Sequence, residues 1–199
     1  MLLAAVAALA FGAAAAHWMR TPQAPQATVL EQPRPLPEFR LVDHRDRPFR
    51  RDRLSGRWSL LFFGFTHCPD VCPMTLSALA RAVHDLEELP AKRRPQVIFV
   101  SVDPARDDPA TLERYVTGFD DRWIGVTGDL ARLQALTDAL GVAVRYVREP
   151  DGDDYTVDHT AAVFLIDPRA RLRAIFSMPH EASQIARDYR LILGQSTDG

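Results

Sequence analysis

The chain has 199 residues, 47% of them apolar and 25% charged, with a formal net charge of −2. That length predicts one domain with a core of its own, so no disulfide is required to hold it. The composition excludes a disordered polar tail, a collagen-like repeat and a multi-span membrane protein. The charge balance leaves no basic surplus for nucleic acid.

Residues 1–19 carry no charged side chain, and only Gly12 and His17 interrupt the apolar run. As a helix this run would span about 29 Å, against a hydrocarbon core of about 30 Å. It reads as an uncleaved signal anchor or as a signal peptide, with the small residues Ala13–Ala16 at the cleavage site. No basic residue precedes the run and Arg20 follows it, so charge bias does not support an N-in orientation. Both readings export the rest of the chain. Residues 20–37 contain Pro22, Pro25, Pro33, Pro35 and Pro37, which predicts an extended, semi-rigid spacer. The folded domain is then expected over 38–195.

Within that domain three apolar runs, Ser59–Phe65, Val97–Val102 and Ala161–Ile166, read as strands buried on both faces. Leu76, Leu79, Val83 and Leu86 recur at helical spacing between the first two, which makes a βαβ unit. Asp108-Pro109 predicts a helix start, with the helix running to about Phe119. A short strand is expected at Trp123–Thr127. A helix capped by Asp129 follows, with Leu130, Leu133, Leu136 and Leu140 on one stripe and Gly141 at its end. Val142–Val147 and Tyr155–Val157 read as a hairpin around an Asp151-Gly152 turn. Arg171–Phe176 reads as an edge strand and Glu181–Leu193 as a closing helix. This alternation predicts a three-layer α/β fold.

Both cysteines fall where the first buried strand gives way to its helix, in Gly64-Phe65-Thr66-His67-Cys68-Pro69-Asp70-Val71-Cys72-Pro73. The free N–H groups and dipole of a helix start favour thiolate there. Four residues apart in a helical turn, two sulfurs lie on one face. The pair can hold a soft metal, shuttle between dithiol and disulfide, or form a plain staple. A staple closing so small a loop stabilises little. A structural zinc site needs four ligands, and the sequence has no second pair. Cu(I) accepts two sulfurs and an imidazole. Among the six histidines, His17 lies in the N-terminal run, His44 and His84 read as surface residues, and His180 starts the last helix. His67 follows a strand end, where neighbours point apart. His159, at the lip of a buried strand, is left as the best of a small set, although a lone histidine is usually structural.

The stretch Phe63–Pro73, together with Ser101-Val102-Asp103-Pro104-Ala105-Arg106-Asp107 and Asp158-His159-Thr160, closely resembles the signature of the Sco/SenC family of copper chaperones for cytochrome c oxidase. The resemblance implies a thioredoxin-like fold with a hairpin inserted before the histidine. It implies copper, as Cu(I) with Cu(II) left open, held by Cys68, Cys72 and His159. In thioredoxins a cis-proline facing the cysteine pair takes the position of His159. Asp103 matches a family position discussed in connection with copper, and it reads equally as a cap for the loop before Asp108. Asp70 can shape the loop between the cysteines. Met74 and Met178 could supply thioethers, but single methionines are more often core.

The resemblance places the domain in the bacterial periplasm, on the inner membrane through the N-terminal segment or released after cleavage. Its implied partners are the copper-receiving subunit of cytochrome c oxidase, a copper donor chaperone and a thiol reductant protein. A metallochaperone breaks no bond in a substrate and is not a conventional enzyme. The alternative on the same residues is a thiol–disulfide oxidoreductase using Cys68 and Cys72 as its redox pair through a mixed disulfide. A peroxidase would need cationic support beside Cys68, and no Arg or Lys flanks it closely.

Overall fold

The computed structural model describes residues 24–148 and 154–195. The apolar run 1–19 and the Asp151-Gly152 turn lie outside the described residues. No helix among the described residues is long and apolar enough to cross a membrane.

The centre of the molecule is the βαβ unit that the apolar runs predict. β4 (Ser59–Gly64) is buried at every position and lies parallel to β5 (Gln96–Ser101), with Phe62 opposite Phe99 and Gly64 opposite Ser101. Each large apolar side chain buried here contributes about 2 kcal/mol. α1 (Val71–Asp85) makes the crossover and buries Leu76, Leu79 and Val83. α2 (Pro109–Thr117) starts where Asp108 accepts a hydrogen bond from Thr111 N at 2.7 Å. It leads into β6 (Ile124–Thr127), parallel to β5. Asp129 caps α3 (Leu130–Leu140), and Gly141, at φ 70°, ends it in the left-handed region that glycine tolerates. β7 (Val144–Arg148) and β8 (Tyr155–His159) form a separate two-stranded hairpin. β9 (Val163–Ile166) and β10 (Arg171–Phe176) then extend the main sheet antiparallel beyond β4. α4 (Ala182–Gln195) closes the chain against α1.

The sheet has eight strands in the order β1-β10-β9-β4-β5-β6-β2-β3. Three expectations are corrected here. Residues 28–35, read as part of a spacer, form β1 (Thr28–Pro35), which pairs with β10. β1 has a single neighbour, and an edge strand accommodates Pro33 and Pro35, which cannot donate to a ladder on both sides. β10 is therefore an interior strand rather than the edge. His44, read as a surface residue, is buried because β2 (Arg40–Asp43) lies beside β6 in the sheet. Its Nδ1 accepts from Gly125 N at 3.0 Å. β3 (Pro48–Arg50) completes that margin.

Candidate metal centre

β4 delivers the chain to the site at Gly64, where Val102 N donates to Gly64 O at 2.8 Å and locks the ends of β4 and β5 together. The loop that follows is held by Asp107, a fully buried carboxylate. It accepts from Thr66 N at 3.0 Å, Thr66 Oγ1 at 2.6 Å and Ser101 Oγ at 2.6 Å. Cys68 precedes α1 and Cys72 is the second residue of it. Thus the cysteines do not share a helical turn. They meet because the loop folds back, with Cys68 N donating to Phe65 O at 3.2 Å and Cys72 N donating to Cys68 Sγ at 3.4 Å. The Cys68 sulfur satisfies a backbone N–H that a helix start leaves open. Both cysteines are free.

The expectation that the helix start favours a thiolate at both positions fails at Cys72. Burial pushes that thiol well above the ordinary cysteine range, and the nearby Cys68 and Asp107 push the same way. Desolvation of a charge in a closed site outweighs a helix dipole of modest strength. Burial therefore favours the thiol form of Cys72 over the thiolate.

His159 ends β8, and its Nε2 lies 3.6 Å from Cys72 Sγ at the start of α1. Its Nδ1 donates to Thr160 O at 3.2 Å, which leaves the lone pair on Nε2, facing the sulfur. The ring packs edge-on against Phe62 and Phe65, each at 6.1 Å. Burial among them lowers its pKa, so the imidazole is neutral at neutral pH. No three His, Cys, Asp or Glu side chains converge as a ready-made metal cluster among the described residues. Cys72 Sγ and His159 Nε2 face each other, and Cys68 Sγ lies beside them on Cys72 N. Two sulfurs and one imidazole are a donor set that suits a soft ion of low coordination number.

The hairpin that carries His159 is pinned to the end of β5. Tyr155 OH donates to Asp103 Oδ1 at 2.6 Å, and Arg106 Nε donates to Asp103 Oδ2 at 2.5 Å. Arg106 Nη1 donates to Tyr155 O at 2.9 Å, and its guanidinium stacks 3.9 Å over the Tyr155 ring. Tyr146 OH donates to Val102 O. Asp103 thus serves the hairpin through its side chain, while Asp108 itself caps α2. Asp70 forms the N-cap of α1 without a side-chain hydrogen bond. His67 is turned to Thr66 Oγ1, at 3.1 Å, and His84 is exposed. Gly64, Arg106 and Asp107 belong to the signature stretches and Tyr155 to the expected hairpin, but the sequence assigns none of the four a task at the site. Gly64 carries a clear geometric one, since a Cβ there would lie 2.9 Å from Cys72 Sγ. Met74 and Met178 are not core residues but are 55% and 52% exposed.

Residues 28–194 match the SCO1/SenC family model. The chain belongs to the SCO1/SenC family. It is 40% identical over 166 residues to a protein of Stutzerimonas stutzeri named for copper binding, covering 81% of this chain and 79% of that one. It is 37% identical over 153 residues to the mitochondrial SCO2 homologue of Bos taurus, covering 77% of this chain and 58% of that one. The crystal structure of Arabidopsis thaliana ScoI with copper bound matches with a TM-score of 0.76 at 29% identity, covering 80% of this chain and 98% of that one. The family's thioredoxin-like fold accounts for the three-layer arrangement.

Proposed function

We propose that this SCO1/SenC chain is a copper metallochaperone. It takes Cu(I) between Cys68, Cys72 and His159 and passes it by ligand exchange to the dinuclear copper site of cytochrome c oxidase. The observation that carries this reading is the His159 Nε2 lone pair facing Cys72 Sγ at 3.6 Å, with the other ring nitrogen committed to Thr160 O. A soft ion between them displaces the Cys72 proton and gives the buried sulfur the partner that burial denies its charged form. The resemblance to proteins named for copper binding or holding copper supports the same cargo. In this reading the N-terminal segment holds the domain on the outer face of a bacterial inner membrane. The donor is a copper chaperone, and a thiol reductant keeps the pair loadable.

A thiol–disulfide oxidoreductase is the second reading. It is favoured by the closeness of the two cysteines, with Cys72 N on Cys68 Sγ at 3.4 Å. The pair would pass two electrons and two protons to a disulfide of the client and become a disulfide itself. His159→Ala separates the two. A copper carrier loses an essential ligand while its thiol exchange survives, so oxidase assembly fails under limiting copper. Normal oxidase activity in cells carrying the variant, with unchanged thiol exchange rates, would favour the reductase.

A further inference from the structure

We propose a second soft-metal site in the groove beside the start of α1. It binds Cu(I) or a like monovalent ion through the thioethers of Met74 and Met178 and through His180 Nδ1. The proposal goes beyond the Cys68–Cys72–His159 reading and does not depend on it.

Three observations meet in this groove of about 490 Å³. First, the sequence has four methionines, and the two outside residues 1–19 are Met74 and Met178. Methionine in a folded domain is ordinarily core packing. Here both are more than half exposed, and both line this groove, Met74 from α1 and Met178 from the loop after β10. Their sulfurs are available for something other than packing.

Second, His180 lines the same groove with one nitrogen uncommitted. Its Nε2 lies 2.9 Å from Ala161 O, so Nε2 carries the proton and donates it. That leaves the lone pair on Nδ1, which is buried and has no hydrogen-bond partner. A buried polar atom without a partner is uncommon and calls for one. Two thioethers and a neutral imidazole make a soft donor set, which selects a monovalent soft ion over Mg²⁺, Ca²⁺ or Zn²⁺. Glu181 is the one carboxylate lining the groove and Arg81 lines it too, so no carboxylate cluster is there to attract a hard cation.

Third, the groove adjoins the cysteine centre. Val71, Pro73 and Thr75, which flank Cys72 and Met74 along α1, line it. The His159 and His180 rings pack edge-on against one Phe62 ring, at 6.1 and 6.5 Å. The groove thus shares α1 with Cys72 and the Phe62 ring with His159.

The test uses the full chain in detergent with Cys68→Ser and Cys72→Ser, so that no thiol contributes. Its methionine methyls are labelled with carbon-13 and followed by NMR during titration with Ag(I), a redox-stable analogue of Cu(I). We expect saturation at one Ag(I), with the Met74 and Met178 methyl signals moving and those of Met1 and Met19 unmoved. Met74→Leu and Met178→Leu keep volume at exposed positions and should leave the fold intact. Each should weaken Ag(I) binding by roughly tenfold or more, the scale on which a lost metal partner is felt. Absence of saturable binding, movement of the Met19 signal alone, or equal affinity in the Met74→Leu/Met178→Leu double variant would overturn the site. A failure of copper loading at the cysteines in the unmodified chain leaves these results untouched.

Discussion

The Tyr155 hydroxyl donates to Asp103 Oδ1 at 2.6 Å, and through it the hairpin that ends in His159 is fastened beside the cysteines. Asp103 is wholly buried, and its second oxygen takes Arg106 Nε at 2.5 Å. A buried carboxylate persists only when it is paired and hydrogen-bonded. Arg106 in turn stacks on Tyr155 and holds its carbonyl. The three side chains therefore stand or fall together, and His159 sits four residues along the same strand from Tyr155.

Tyr155→Phe removes one hydrogen bond to a charged group, a loss of about 1.5–3 kcal/mol. We expect a lower unfolding midpoint and faster copper loss, with disulfide formation between Cys68 and Cys72 unchanged. Asp103→Ala should cost more, because it takes the acceptor from both Tyr155 OH and Arg106 Nε at once. The phenol offers a direct check. Its hydrogen bond to Asp103 and the carboxylate charge hold the Tyr155 pKa up at about 12. Asp103→Asn should bring it back toward the ordinary tyrosine range in an absorbance titration. An unshifted phenol would mean that the contact does not form in solution.

Gly64→Ala puts a Cβ 2.7 Å from Phe99 Cε2 and 2.9 Å from Cys72 Sγ. Neither neighbour is a free-swinging side chain, since Phe99 is fully buried and Cys72 sits in the first turn of α1. Overpacking of this kind costs about 1–3 kcal/mol. We expect a folded but less stable protein whose Cys72 sulfur is displaced from His159 and whose copper affinity falls. Calorimetry and competitive copper titration measure the two effects. Wild-type affinity in a folded variant would count against close Cys72–His159 geometry as the basis of binding.

The central βαβ unit, the caps at Asp108 and Asp129 and the glycine stop at Gly141 were legible because each is a local signal. Continuous apolar runs, an Asp-Pro pair and a left-handed glycine carry their own chemistry. β1 was not legible, because prolines suppress a strand reading until a neighbour such as β10 is known. The burial of His44 is hidden in the sequence for a related reason: it depends on β2 lying beside β6, a contact more than eighty residues apart in sequence. The roles of Asp103, Arg106 and Asp107 needed the approach of the hairpin and of the Phe65–His67 loop. The Cys72 thiol shows the same limit. Its position at a helix start was readable, but the closure of the site around it was not, and closure decides its protonation.

Acid should weaken the metal-free protein in a window set by two histidines. Burial lowers the pKa of both His159 and His180 below the ordinary value of 6.5. The unfolded chain therefore binds more protons than the folded one as pH falls through 6.5, and stability decreases with falling pH. The lowered carboxylates Asp43 and Asp120 also lose stabilisation in acid, but only as pH nears 3.8. We expect the unfolding midpoint to drop between pH 7 and 5. The drop should be shallower in His180→Phe, which has one fewer buried imidazole to protonate. A midpoint flat across this window would show that both rings are solvated.

Two truncations separate the contribution of residues 1–23 from that of residues 24–37. Removing residues 1–23 leaves every described contact in place, so the unfolding midpoint should equal that of the full chain. Removing residues 1–37 takes away β1 and Leu36, and several consequences follow at once. β10 becomes an exposed edge with unpaired backbone groups, a template for association. Arg173 Nη1 loses Leu30 O, its acceptor at 2.5 Å, and Ala170 O loses Leu36 N. Asp188, fully buried in α4, loses the amides of Gln26 and Ala27, which now donate to its Oδ2 at 2.8 and 2.9 Å. Gln184 and Arg187 still reach its other oxygen, so the helix is weakened rather than broken. Two amide bonds to a buried carboxylate amount to about 3 kcal/mol or more, a large part of the stability of a small domain. We expect the shorter product to unfold at a markedly lower denaturant concentration and to self-associate in sedimentation. Equal midpoints for the two truncations would mean that β1 adds nothing to the sheet.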